Sequence, residues 1–260
     1  MKKIYITLIG VIFSFLFCQC SKKEVEIEPA EGELIIIEGC CYPEVSDMYS
    51  FPIKYETEEW YKLDIDERLG VCQLPDNVLK SISTLGLIRS FIDLPHSFYF
   101  TYLTSSTWKR TETAKRLFKL FNCVQELLNR KDNAKSLIAF YAAIKLDCVE
   151  SLYSNGDNDR EFEYRLITLQ CLFTMPEILN KLSREDKKTV VESLLANYRQ
   201  WNQWGSTMIH PLLSIMTWLM YDDMLPFFDE DLLIFIKQVV LVPDDTCDEI
   251  IAFAEKFILM

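Results

Sequence analysis

Chemistry in this sequence has few carriers. The chain holds two histidines, His96 and His210, and nine cysteines, so a hydrolytic nucleophile would have to come from pairing His210 with Cys171 or Cys247. No nucleophile elbow, HExxH or family-type cysteine motif surrounds these residues. His96 follows Pro95 and His210 precedes Pro211, which assigns both to structural roles at a helix start and in an apolar helix. Neither has a partner at a recognised zinc spacing, so no metal and no cofactor are expected. Carboxylates offer a second route. Asp222 with Asp223, or Asp229 with Glu230 and Asp231, could supply the acid pair of a glycoside hydrolase, but both clusters also read as helix-end and cap acids. Asn155, Asp157, Asp159 and Glu161 alternate like the start of a calcium loop. Arg160 then stands where glycine is needed and Leu166 where a bidentate glutamate is needed. The third route is aromatic. Tyr198, Trp201 and Trp204 recur at three-residue steps beside Asn202 and Gln203, and rings so placed on a helix, where exposed, would contact a glycan or a partner protein.

One cysteine has a different chemistry. Lys2 and Lys3 precede a run, residues 4–17, that is apolar except for Tyr5, Thr7 and Ser14, and cysteines follow at positions 18 and 20. The run is too short for a permanent span and lacks a small-x-small cleavage site. It resembles a bacterial lipoprotein signal, in which a cysteine receives diacylglycerol and becomes residue one. Cys20 is the expected lipidation site, because Gln19 precedes it and the polar Ser21, Lys22, Lys23 and Glu24 follow, whereas Cys18 has Phe17 before it. Two acyl chains suffice for stable anchoring, so the expected membrane partner is reached through lipid. Serine after that cysteine is associated with sorting to the outer membrane, and the expected location is the cell envelope.

Removing residues 1–19 takes away two lysines and no acid, which moves the formal charge from −12 to −14. That balance excludes nucleic acid as a partner, since phosphate binding needs clustered cations. Lys109, Arg110, Lys115, Arg116 and Lys119 form the one basic run, expected as a solvated helix face. With half of all residues apolar and 13% aromatic, the chain can bury a substantial core.

The elements that must position these groups are helical. Residues 21–33 form an acidic tether, Leu34 to Ile37 an isolated extended segment, and punctuation from about Asp64 onward turns to caps and three- and four-residue steps. Pro75 and Asp76 open a short helix, and Ser83 caps another that ends before Pro95. Ala114, Leu117, Phe118, Phe121, Val124 and Leu128 form one stripe, and Leu137, Ile138, Tyr141, Ile144, Cys148 and Leu152 a second. Ser183 and Asp186 read as a capping box before Val191, Leu194, Leu195, Tyr198 and Trp201. Helix starts are expected near residues 107, 132, 160, 184, 208, 230 and 244. The expected fold is mainly α: a helical bundle or HEAT-like α-solenoid of antiparallel helix pairs with a short extended N-terminal segment. The expected division is a signal peptide at 1–19, a lipidated cysteine, tether and extended segment at 20–63, and a helical domain at 64–260. Of the cysteines, Cys148, Cys171 and Cys247 are expected as buried thiols, and one disulfide between Cys72 and the vicinal Cys40 and Cys41 is allowed in an oxidising compartment.

The stretches Leu74-Pro75-Asp76-Asn77-Val78-Leu79-Lys80-Ser81-Ile82-Ser83-Thr84 and Phe121-Asn122-Cys123-Val124-Gln125-Glu126-Leu127-Leu128-Asn129-Arg130-Lys131-Asp132, with the helix near Arg160, resemble a group of all-helical bacterial lipoproteins to which no activity is attached. The resemblance covers about residues 65–200 and implies fold and address. The functional expectation is a non-enzymatic, membrane-anchored module that binds an envelope or extracellular protein. An envelope hydrolase acting on glycans, or a glycan-binding lipoprotein using Trp201 or Trp204, is the alternative.

Overall fold

The computed structural model describes residues 32–36, 42–95, 116–144, 160–203, 209–224, 228 and 244–260. Among them are eleven helices and one two-stranded sheet, so the fold is mainly α. The expected lipidation site Cys20, His96, Trp204 and the helix starts expected near residues 107 and 230 lie outside the described residues, as do Cys40, Cys41 and Cys148.

The sheet pairs β1 (Leu34–Ile35) with β2 (Glu44–Val45) in antiparallel register, Leu34 opposite Val45 and Ile35 opposite Glu44. An isolated extended segment at Leu34 is thus corrected to a strand with a partner. The partner was hidden because two residues carry no readable alternation. Four short helices follow: α1 (Glu58–Lys62), α2 (Ile65–Val71), α3 (Asp76–Ser81) and α4 (Thr84–Ile92). Ser83 caps α4 by accepting from the Gly86 amide at 2.8 Å, as its position before the apolar run predicts. Almost every residue of α4 is buried, and α4 packs on β2 and on α5 (Asn122–Asn129), α6 (Asn133–Ala142) and α7 (Arg160–Leu172).

Gly86 lies in the first turn of α4 for a steric reason. A Cβ there would sit 2.6 Å from both Asp47 Oδ1 and Ile82 Cγ1. Asp47 needs that space because its carboxylate accepts from the Ser83 amide at 2.6 Å and from the Ser83 hydroxyl at 2.8 Å. A glycine that local propensity disfavours is therefore required by the chain crossing over it.

Two apolar stripes are shorter as helices than as sequence patterns. Phe118, Phe121, Val124 and Leu128 are all buried as expected, but the helix breaks before Asn122. The Leu120 and Phe121 amides make tight turns to Leu117 and Phe118, and Gln125 Nε2 donates to the Lys119 carbonyl at 2.6 Å. The second stripe stops with α6 at Ala142, where Ala143 is the C-cap.

The short α8 (Pro176–Leu179) leads to three long helices, α9 (Arg184–Gln203), α10 (Ile209–Met224) and α11 (Asp244–Leu259), each packed on the other two. The box that opens α9 forms as read: Ser183 donates its amide to Asp186 Oδ2 at 2.9 Å, and the Asp186 amide donates to Ser183 Oγ at 3.1 Å. Arg184 and Lys187 at the start of α9 lie within 4.0 Å of Asp222 or Asp223 at the end of α10, so these two helices run antiparallel. Arg199 of α9 pairs with Glu255 of α11, both near C-terminal ends. The apolar cores of both halves join in one continuous cluster, from Tyr42 to Phe257.

Candidate interaction surface

Each chemical route read from the sequence has a definite place where it falls on described residues. The acids Asp222 and Asp223 sit in the last turn of α10, the end where the helix dipole disfavours negative charge. Arg184 and Lys187 sit at the opposite, equally unfavourable end of α9. Each helix end supplies the charge that the other lacks, which corrects the reading of this pair as acids that a helix end wants. Tyr198 is buried at 8% exposure and takes a core position in α9. The side chains of Trp201 and His210 lie outside the described residues. Cys171 and Cys247 are buried, as expected. Among the described residues no three His, Cys, Asp or Glu side chains gather as a metal site, and no helix is long and apolar enough to cross a membrane.

Several buried polar groups are joined to one another across helices. The Tyr141 hydroxyl of α6 accepts from Gln170 Nε2 of α7 at 2.8 Å and from Asn197 Nδ2 of α9 at 2.7 Å. Burial pushes this phenol well above its usual range, against the lowering effect of the two amides, so it stays neutral and serves as a three-helix pin. Arg130 is equally enclosed. Its Nε donates to Glu126 at 2.6 Å, and one terminal nitrogen donates to the Leu79 and Ile82 carbonyls, both at 3.2 Å. These carbonyls end α3, where an arginine satisfies acceptors that have no partner within the helix. Asp93 is shared by Arg89, one turn before it, and by Arg165 of α7 at 3.0 Å. These pins consume polar groups in holding helices together.

The corner formed by α1 and α2 differs, because it presents apolar groups outward. Its geometry follows from Trp60. That indole is 2% exposed, with Tyr55 edge-on at 6.0 Å and the Arg68 guanidinium 5.2 Å above the ring, a cation–π contact that fixes the ring. With Trp60 turned inward, its helical neighbour Tyr61 is turned out at 62% exposure, and Ile65 at the start of α2 is 54% exposed. The backbone is fixed just as firmly. Thr57 caps α1 by accepting from the Trp60 amide at 3.3 Å. Asp64 and Glu67 make a reciprocal capping box, both bonds at 2.9 Å. Glu56, before the cap, is the one non-glycine residue with positive φ, 62°, among the described residues. Such a conformation costs about 1–3 kcal/mol and persists where surrounding structure over-determines it.

Around Tyr61 and Ile65 stand Glu58, Glu59, Asp64, Asp66 and Glu67, all exposed. Within this frame Glu58 pairs with Lys62 at 2.9 Å, and acids still outnumber the cation. The corner thus joins an aromatic ring and a branched aliphatic chain to a negative frame on a rigid base, offering apolar contact area and negative charge side by side. Sequence reasoning passed over it, although T-x-x-W at Thr57 and D-x-x-E at Asp64 are both cap signals. Comparison with protein-family models, with curated proteins and with solved structures finds no match for this chain.

Proposed function

We propose that the chain is a lipid-anchored module of the bacterial cell envelope that binds a protein partner through the α1–α2 corner, and that this partner offers a basic segment. The observation that carries the reading is the outward display of Tyr61 and Ile65 inside an acidic frame, on backbone held by two caps and a buried tryptophan. Tyrosine gives large contact area with few rotatable bonds, so little ordering is lost on binding. The anchor is assigned to Cys20 on the residues around it. Confinement at a membrane raises the effective concentration of a modest binder, which suits a small contact surface. Binding is preferred over glycan hydrolysis because Asp222 and Asp223, the described acid pair, face Arg184 and Lys187.

Two measurements test the two halves separately. Metabolic labelling with fatty acid should mark the native chain and not the Cys20→Ala variant, and unchanged labelling would overturn the anchor. For the surface, a photocrosslinker is placed at Tyr61 of the full chain in its own cells, with a second at exposed Lys135 of α6 as the control. One discrete adduct is expected from position 61, lost when Glu58→Gln and Glu59→Gln are combined. The same adducts from both positions would overturn the site.

A further inference from the structure

We propose that Cys72 and Cys123 form an intramolecular disulfide that ties the end of α2 to the start of α5. Both are buried and free as thiols in this structure. Cys72 is the C-cap of α2, and Cys123 is the second residue of α5. The residues beside them are bound to each other. Asn122 Oδ1 accepts from the Leu74 amide at 2.9 Å, and Asn122 Nδ2 donates to the Leu74 carbonyl at 2.8 Å. The Asn122 amide donates to Gln73 Oε1 at 2.9 Å, and Gln73 Nε2 donates to the Leu120 carbonyl at 3.2 Å. Cys72 is the residue just before this four-bond strap and Cys123 the residue just after it, so the strap that fixes one backbone against the other brings the two cysteines near each other, the Cys72 thiol now donating to the Pro95 carbonyl at 3.9 Å. Burial first, and the neighbouring Cys72 in smaller part, oppose ionisation of Cys123. This pairing is the alternative to one between Cys72 and the vicinal Cys40 or Cys41, which lie outside the described residues.

The chemistry is thiol–disulfide exchange with an external disulfide. One cysteine loses its proton and attacks a sulfur of the oxidant, which releases one thiol and leaves a mixed disulfide. The second cysteine loses its proton and attacks the protein sulfur of that mixed disulfide, which releases the second thiol. In sum, two protein thiols lose two electrons and two protons, and one external disulfide becomes two thiols. Burial pushes both thiols up to about 12, so the closed fold holds them protonated and slow to react. Exchange therefore belongs to folding, before the core closes over the sulfurs. That the chain meets an oxidant in the cell rests on the envelope reading; the pairing itself does not.

The full chain is purified reduced, unfolded, and refolded in a buffer of oxidised and reduced glutathione. The expected product resists alkylation at both cysteines and yields, on non-reducing digestion, one crosslinked peptide containing Cys72 and Cys123. Closing a loop of about 50 residues should raise Tm by roughly 5–15 °C, reversed by a reductant. Cys72→Ala and Cys123→Ala should each leave the other thiol open to alkylation after unfolding and remove the rise, so that one suffices if the other fails to fold. Full alkylation of both cysteines after refolding, or a crosslink from Cys72 to Cys40 or Cys41, overturns the pairing. Chain taken from cells under alkylating conditions reads the compartment. A pair that forms in the glutathione buffer but is reduced in cells counts against the envelope reading and leaves the pairing standing.

Discussion

The half built around α4 and the half built from α9, α10 and α11 are held together by different means. Helices around α4 run from five to ten residues up to α6, and polar groups bind them to one another: Asp47 to Ser83, Asn122 to Leu74, Thr84 to Asp132 and Lys181 to Asn133. The last three helices have 20, 16 and 16 residues, with apolar side chains such as Leu212, Leu213, Met216 and Leu219 fully buried between them. The ion pairs that join them, Arg184 and Lys187 to the α10 acids and Arg199 to Glu255, lie toward helix ends and at the surface. A short helix offers few core side chains and many unsatisfied end groups, so it needs partners from outside. A long helix satisfies its own backbone and contributes a whole stripe to the core.

This contrast can be broken or sharpened by perturbing each half in its own terms. The largest effect is expected from alkali on the reduced protein. Cys72 and Cys123 are raised from 9.0 to about 12, so the unfolded chain releases these protons first. Their contribution is present below about pH 9 and is lost as pH rises from 9 toward 12, on the order of a few kcal/mol in all. The raised Tyr141 phenol adds to the loss in the same direction. Chemical denaturation at pH 8 and pH 11 should show the drop, and both Cys72→Ala with Cys123→Ala and the Cys72–Cys123 disulfide should reduce it. An unchanged slope in the double variant would show that the thiols are not the source.

Next comes Leu219→Ala in α10. Its side chain is fully buried, so truncation leaves a cavity and should cost about 2–5 kcal/mol in urea unfolding. Arg130→Met tests the other half. It removes the donors to Leu79, Ile82 and Glu126 while keeping much of the packing volume, and a loss of about 2–3 kcal/mol is expected. Should Arg130→Met prove neutral, the polar pins would be dispensable and the contrast between the halves would fail. The smallest effect belongs to Asp222→Asn with Asp223→Asn. These acids face their cations at 3.7 to 4.0 Å near the surface, and the change in stability should be about 1 kcal/mol or less. A loss of several kcal/mol would reveal a role beyond matching two helix ends.

What was legible in the sequence was mostly local. Ser83, the Pro75–Asp76 start and the Ser183–Asp186 box declare themselves within four residues, and the stripe of α9 places Val191, Leu194 and Leu195 in the core. What escaped depends on chain far away. Asn122 interrupts a smooth stripe because it is bound to Gln73 and Leu74, some 48 residues distant. Gly86 makes sense only once Asp47 lies over it, and the acids of α10 only once the bases of α9 face them. The α1–α2 corner escaped for another reason. Two helices of five and seven residues are too short for periodicity to register, and their cap signals lie beside a stretch read as tether.

The crossing of the N-terminal hairpin over α4 has a mechanical consequence. A Cβ added to Gly32 would lie 2.1 Å from Ser83 Oγ, so the chain at Gly32 lies directly against the N-cap of α4. With Cys20 acylated as proposed, the leash from lipid to that contact is twelve peptide units, about 40 Å when taut. A pull along that line would reach the hairpin at Gly32, beside the bonds from Ser83 to Asp47 that hold it to α4. The body would swing on a short line from a reinforced eyelet, and replacing Asp47 would lower the force at which that eyelet tears.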